Sequence, residues 1–125
     1  MEQKVKKQFG VWLDTRHATV VGRANEDTEE FTVLGVADNN GDEHNTSEKN
    51  GRTDGRTLQH KFFKQILSFM PNAEEVHLTG TGPTQEALMH YMADTPQFKN
   101  TVVQESTSNK MSDENLTAFI AEKFN

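Results

Sequence analysis

Apolar positions along the chain fall into two periods. Phe9-Gly10-Val11-Trp12-Leu13-Asp14 is rich in β-formers and predicts a first strand, with Thr15-Arg16 as a tight turn. His17-Ala18-Thr19-Val20-Val21-Gly22-Arg23 returns as a second strand. A turn over 25–27 leads to a third, Glu30-Phe31-Thr32-Val33-Leu34-Gly35-Val36. Alternation in the third is imperfect, so neither of its faces reads as wholly polar. The period then changes. Leu58, Phe62, Ile66 and Phe69, supported by Phe63, Leu67 and Met70, recur at helical spacing and predict an amphipathic helix stopped by Pro71. Phe62 and Phe63 are read as core residues.

Val76-His77-Leu78-Thr79 predicts a fourth strand and Gly80-Thr81-Gly82 a loop. Pro83 opens a second helix carrying Ala87, Leu88, Tyr91 and Met92. Thr101-Val102-Val103-Gln104-Glu105 is the fifth strand. Ser112 caps a last helix with Asp113 and Glu114 at its positive end and Leu116, Phe119, Ile120 and Phe124 inward. The predicted fold class is α/β, in the order βββαβαβα: a mixed five-stranded sheet flanked by helices in one domain, residues 1–125. Right-handed crossovers give it a ribonuclease-H-like strand order, 3-2-1-4-5.

One stretch escapes both periods. From about residue 38 to 56 almost nothing is apolar, and Asn39-Asn40-Gly41, Asn50-Gly51 and Asp54-Gly55 are turn signals. Loops this long inside compact domains are functional or mobile.

Composition narrows the function classes. Without cysteine there is no disulfide framework, thiol nucleophile or Cys-based zinc site. No apolar run approaches a membrane span, and the start lacks an apolar leader region, so a cytoplasmic protein without a membrane partner is expected. The net charge of −6 argues against a whole-surface nucleic-acid binder. The charge is uneven, however. Lys49, Arg52, Arg56, Lys61 and Lys64 follow one another with only Asp54 among them as an acid, while acids gather in Glu26-Asp27-Thr28-Glu29-Glu30.

Candidate chemistry is sparse. Gly80-Thr81-Gly82-Pro83-Thr84 lies between strand and helix, where backbone N–H groups can hold an anion; Gly80, Thr81, Gly82 and Thr84 form the candidate anion-binding turn. It lacks the third glycine of a dinucleotide fingerprint and the Gly-Lys-Ser/Thr of a P-loop, and a tight βα turn is its plainer explanation. A two-metal nuclease needs converging carboxylates. Asp14 is a fair first ligand, but the fourth strand ends in Thr79-Gly80 and Glu75 sits at its other end. The histidines, His17, His44, His60, His77 and His90, show no metal-binding spacing and read as lone surface residues, although His44 and His60 flank the polar loop. Ser106, Ser108 and Ser112 lack a nucleophile-elbow context. No catalytic residue, metal ligand or cofactor is therefore assigned.

Taken together, three stretches resemble a known family. Phe9 to Val21 is similar to the "hydrophobic strand, Asp, x, Arg, x, Ala, hydrophobic strand" hairpin in the central domain of archaeal and eukaryotic peptide-chain release factors, of Pelota and of bacterial relatives of both. Glu75 to Glu86 resembles that domain's strand, turn and helix, and Gln104 to Asp113 the strand and polar turn before its last helix. The resemblance spans nearly the whole chain. It implies a bacterial single-domain relative with a ribosome or RNA as partner. In the release factors proper, the loop before the first helix carries Gly-Gly-Gln, which positions water for ester hydrolysis. Here the matching stretch is Asn50-Gly51-Arg52-Thr53-Asp54-Gly55-Arg56-Thr57, so hydrolysis does not carry over, while Pelota works without that tripeptide.

The expectation is a non-enzymatic ribosome- or RNA-associated factor in rescue, stress or hibernation, with Lys49, Arg52, Arg56, Lys61 and Lys64 on phosphates. Two alternatives stand beside it. One is a metal-dependent nuclease or hydrolase using Asp14 and the loop histidines. The other is a protein-interaction module whose acidic face at 26–30 recruits a basic protein partner.

Overall fold

The computed structural model describes residues 7–23, 30–38 and 55–124, with the backbone alone at 55–58. Its elements are β1 (Gln8–Leu13), β2 (His17–Arg23), β3 (Phe31–Asp38), α1 (Gly55–Leu67), β4 (Glu75–Gly80), α2 (Pro83–Ala93), a 3₁₀ turn (Pro96–Phe98), β5 (Val102–Thr107) and α3 (Asp113–Phe124). The strands lie in the order β3-β2-β1-β4-β5. β1 pairs antiparallel with β2, and β2 with β3; β4 is parallel to β1 and β5 parallel to β4. This is the mixed five-stranded arrangement that the two periods predict.

β1 is buried along its whole length because it lies mid-sheet with helices on both faces. Its alternate residues serve two cores. Phe9, Val11 and Leu13 join Ala18 and Val20 of β2 beneath Phe62, Phe63 and Ile66 of α1 and Leu88 and Met92 of α2. On the other face Trp12 and Val21 meet Leu116 and Ile120 of α3. Phe62 and Phe63 are thus core residues.

The imperfect alternation of β3 has a local cause. Its register with β2 shifts between Val20 and Val21, leaving Leu34 as the extra residue of a β-bulge. Phe31 and Val33 before the bulge pack toward α3, whereas Leu34 and Ala37 pack toward α1.

Element ends extend beyond the sequence prediction where polar residues carry no period. β3 runs on to Asp38 and α1 begins at Gly55. The polar loop placed at 38–56 therefore gives up its outermost residues, Asp38 to the strand and Gly55 and Arg56 to the helix. At its other end α1 closes before Pro71 is reached. Ser68 N–H bonds to Lys64 O and Gln65 O, and Phe69 and Met70 follow with i→i+3 bonds of 3.1 and 3.0 Å. Ser112 caps α3 as expected: its Oγ accepts from Asn115 N–H at 3.1 Å.

Candidate functional site

Of the five cations assigned to phosphate contact, two have described side chains. Lys61 and Lys64 are exposed on the face of α1 opposite Phe62, Phe63 and Ile66. His60 and Gln65 share that outward stripe, and the spacing follows from the helical period. Arg56 occupies the first turn of α1, one turn ahead of His60. Lys49 and Arg52 lie outside the described residues, as does His44. Neither Lys61 nor Lys64 forms an ion pair among the described residues.

The turn after β4 is built by packing. Gly80 lies opposite Leu13 in the parallel ladder, and a Cβ there would run into the Leu13 carbonyl oxygen. Gly82 takes φ +125°, a value suited to glycine, and stands at the N-cap of α2 with open space around it. Thr84 is buried, so of the candidate turn only Thr81 has a freely exposed side chain. Glu86 already brings a negative charge to the first turn of α2.

Gln85 stands three residues after the N-cap, where a glutamine often reaches back to cap its own helix. Here it crosses instead to β5, and its Nε2 donates to the Ser106 carbonyl at 2.5 Å. It pins the start of α2 to the edge strand.

At the β1–β2 hairpin, Asp14 Oδ1 accepts from the backbone N–H of Arg16 at 2.9 Å and of His17 at 2.7 Å. The carboxylate thus shapes the turn. His17 stands between Asp14 and Asp38, the last residue of β3, with nitrogens 3.9 and 3.7 Å from their oxygens. Among the described residues no group of three or more His, Asp or Glu side chains is arranged to hold a metal ion.

Sequence reasoning missed one cluster, and one of its assignments is corrected there. His77 is not a surface residue: it is 5% exposed, under Phe119 of α3. A strand's period of two hides this, because β4 is covered on both faces and a histidine in it has no exposed side to choose. His77 Nε2 lies 2.8 Å from Ser106 Oγ, Ser106 Oγ donates to Thr79 Oγ1 at 3.0 Å, and Ser108 Oγ closes the chain 2.7 Å from Thr79. A hydroxyl has one proton. Since Ser106 gives its proton to Thr79, the imidazole must donate from Nε2 to Ser106. Burial, and then the nearby Lys123 charge, lower the His77 pKa from 6.5 and favour this neutral ring. A nucleophilic serine needs a histidine that accepts its proton; this one donates. The chain is a set of side-chain rungs that ties β5 to β4. A polar residue at alternate positions of both strands was its only signal in the sequence.

The described surface therefore carries an exposed basic stripe on the helix that follows the polar segment, and a sheet end ordered by turns. Neither a protein-family model nor a curated protein sequence matches the chain. Among solved structures the fold is that of a Pelota- and release-factor-like domain. Pelota of Thermoplasma acidophilum aligns with a TM-score of 0.59 at 17% identity, over 96% of this chain and 33% of that one. Pelota of Archaeoglobus fulgidus gives 0.55 at 12% identity, over 95% and 33%. The archaeal translation termination factor aRF1 gives 0.53 at 12%, over 93% and 34%. The chain spans about a third of the length of each.

Proposed function

We propose that this chain is a non-enzymatic, ribosome- or RNA-associated factor of the cytoplasm, working in translation and specifically in ribosome rescue, stress or hibernation. The observation that carries the reading is the exposed Lys61 and Lys64 pair on α1, the helix that follows the polar segment holding Lys49 and Arg52 and whose first turn holds Arg56. Its support is the fold shared with Pelota and a translation termination factor. Cations in the polar segment and on the adjoining helix can reach a phosphate backbone while the rest of an acidic protein stays clear of it. Gly-Arg-Thr-Asp-Gly-Arg at 51–56 offers phosphate donors and no water-positioning glutamine.

Sucrose-gradient sedimentation of a lysate tests this. The protein should travel with ribosomal particles and be released by salt, as phosphate contacts are. Arg52→Glu/Arg56→Glu should move it to the top of the gradient. Wild-type protein found only in the top fractions, in growth and stationary phase alike, would refute the association; unchanged sedimentation of the double variant would take the loop out of the contact.

A further inference from the structure

Between the last turn of α1 and the end of α2 lies an open groove of about 520 Å³. Lys64, Asn72, Tyr91 and Gln97 stand around it, and Met70 and Phe98, both buried, form its base. We infer that this groove takes one unstacked nucleobase of a single-stranded RNA, with Lys64 on the adjoining phosphate. The inference rests on the RNA-contact reading above and extends it from the polar segment to the far end of α1.

Four features of the groove match that occupant. Its volume lies within the range of small-molecule sites, enough for one base and part of its sugar. Tyr91 borders the groove and is already fixed in place, its ring 5.4 Å from Phe63 and 5.1 Å from His60, so a base that meets it orders little that is not ordered already. Asn72 and Gln97 are exposed, and their amides have no protein partner among the described residues. Each presents a donor beside an acceptor, the pairing that a base edge offers in return. Lys64 is exposed and without an ion pair among the described residues, which leaves its charge available to a phosphate. It also belongs to the same outward stripe of α1 as Lys61, so a strand lying along that stripe passes the groove. A wholly apolar ligand would strand the two amides; a duplex would keep its bases stacked and out of reach.

Asn72 makes the test clean. It sits at φ +58°, a left-handed conformation that glycine adopts at least as readily, so Asn72→Gly removes the amide and spares the turn. Binding of a fluorescein-labelled 12-nucleotide single-stranded oligouridylate, and of an oligoadenylate of the same length, is read by anisotropy with the full chain. Asn72→Gly/Gln97→Ala, which leaves the net charge at that of the wild type, should weaken binding about tenfold with an unchanged salt dependence. Lys64→Gln should weaken it and reduce the salt slope by about one. Duplex RNA of the same length should not distinguish wild type from Asn72→Gly/Gln97→Ala. Urea midpoints close to wild type confirm that the variants fold. Oligonucleotide binding that is lost in Arg52→Glu/Arg56→Glu but intact in Asn72→Gly/Gln97→Ala overturns the groove and leaves the polar segment as the contact. Equal competition by poly-glutamate overturns it as well, since it would reduce Lys64 to a general attractor of acids. Wild-type protein that binds no oligonucleotide also overturns the groove. The broader reading falls with it only if the protein is absent from ribosomal fractions too.

Discussion

Replacing Thr79 by valine preserves the shape of a fully buried side chain and deletes only its hydroxyl. That oxygen accepts from Ser106 at 3.0 Å and lies 2.7 Å from Ser108. Each neutral hydrogen bond contributes about 1 kcal/mol net, so the two together contribute about 2. A methyl in place of the hydroxyl returns about 0.8 kcal/mol through apolar burial. Ser106 and Ser108 are only half-buried, so water relieves part of their stranded capacity. The expected net loss is about 1–2 kcal/mol, or about 4–8 °C in Tm for a chain of this size. Urea unfolding followed by fluorescence is a direct assay, because Trp12 is the single tryptophan and is buried against α3. Ser106→Ala in the same background should cost less than it does in the wild type, since the two changes break one chain. A valine variant as stable as the wild type, or strictly additive losses, would falsify the claim that these rungs hold β5 to the sheet.

Three further outcomes follow from the same face and the turn beside it. The folded chain holds His77 below its usual pKa of 6.5, chiefly by burial, while the unfolded chain leaves it there. The stability this contributes is complete above 6.5 and drains away as pH falls toward the lower folded value, at up to about 1.4 kcal/mol per unit. Unfolding free energies between pH 7.5 and 5.5 should therefore decline less steeply in His77→Gln, and a variant with the full slope would place the titration on other histidines. Gly80→Ala should cost about 3 kcal/mol, because the obstacle is the Leu13 backbone across the parallel ladder. Gly10→Ala meets only the Ile120 side chain, so Ile120→Ala should recover part of its loss; thermal melts of the three variants compare the two cases.

The number, type and order of the elements could be read from the sequence because each is written in its own period. Runs of β-formers separated by short turns make the meander at residues 8–38, and the 3.6-residue recurrence from Leu58 to Leu67 makes the first helix, with Phe69 and Met70 carried on by the turns that close it. Strand order followed from chain order plus the hand of the crossovers. The basic stripe was legible too, since Lys61 and Lys64 alternate with Phe62, Phe63 and Ile66, and a helix that buries the aromatics must expose the lysines. What stayed hidden depends on contacts between residues far apart in the chain. The Leu34 bulge exists only as a mismatch of β3 against β2. His77 becomes buried and neutral only because α3, more than thirty residues later, covers β4. The groove brings Lys64 and Asn72 together with Tyr91 and Gln97 from another helix end, and no local pattern encodes that meeting. Periodicity is set by each segment's own geometry and can be read one segment at a time; a site assembled across segments is decided by how the faces pack.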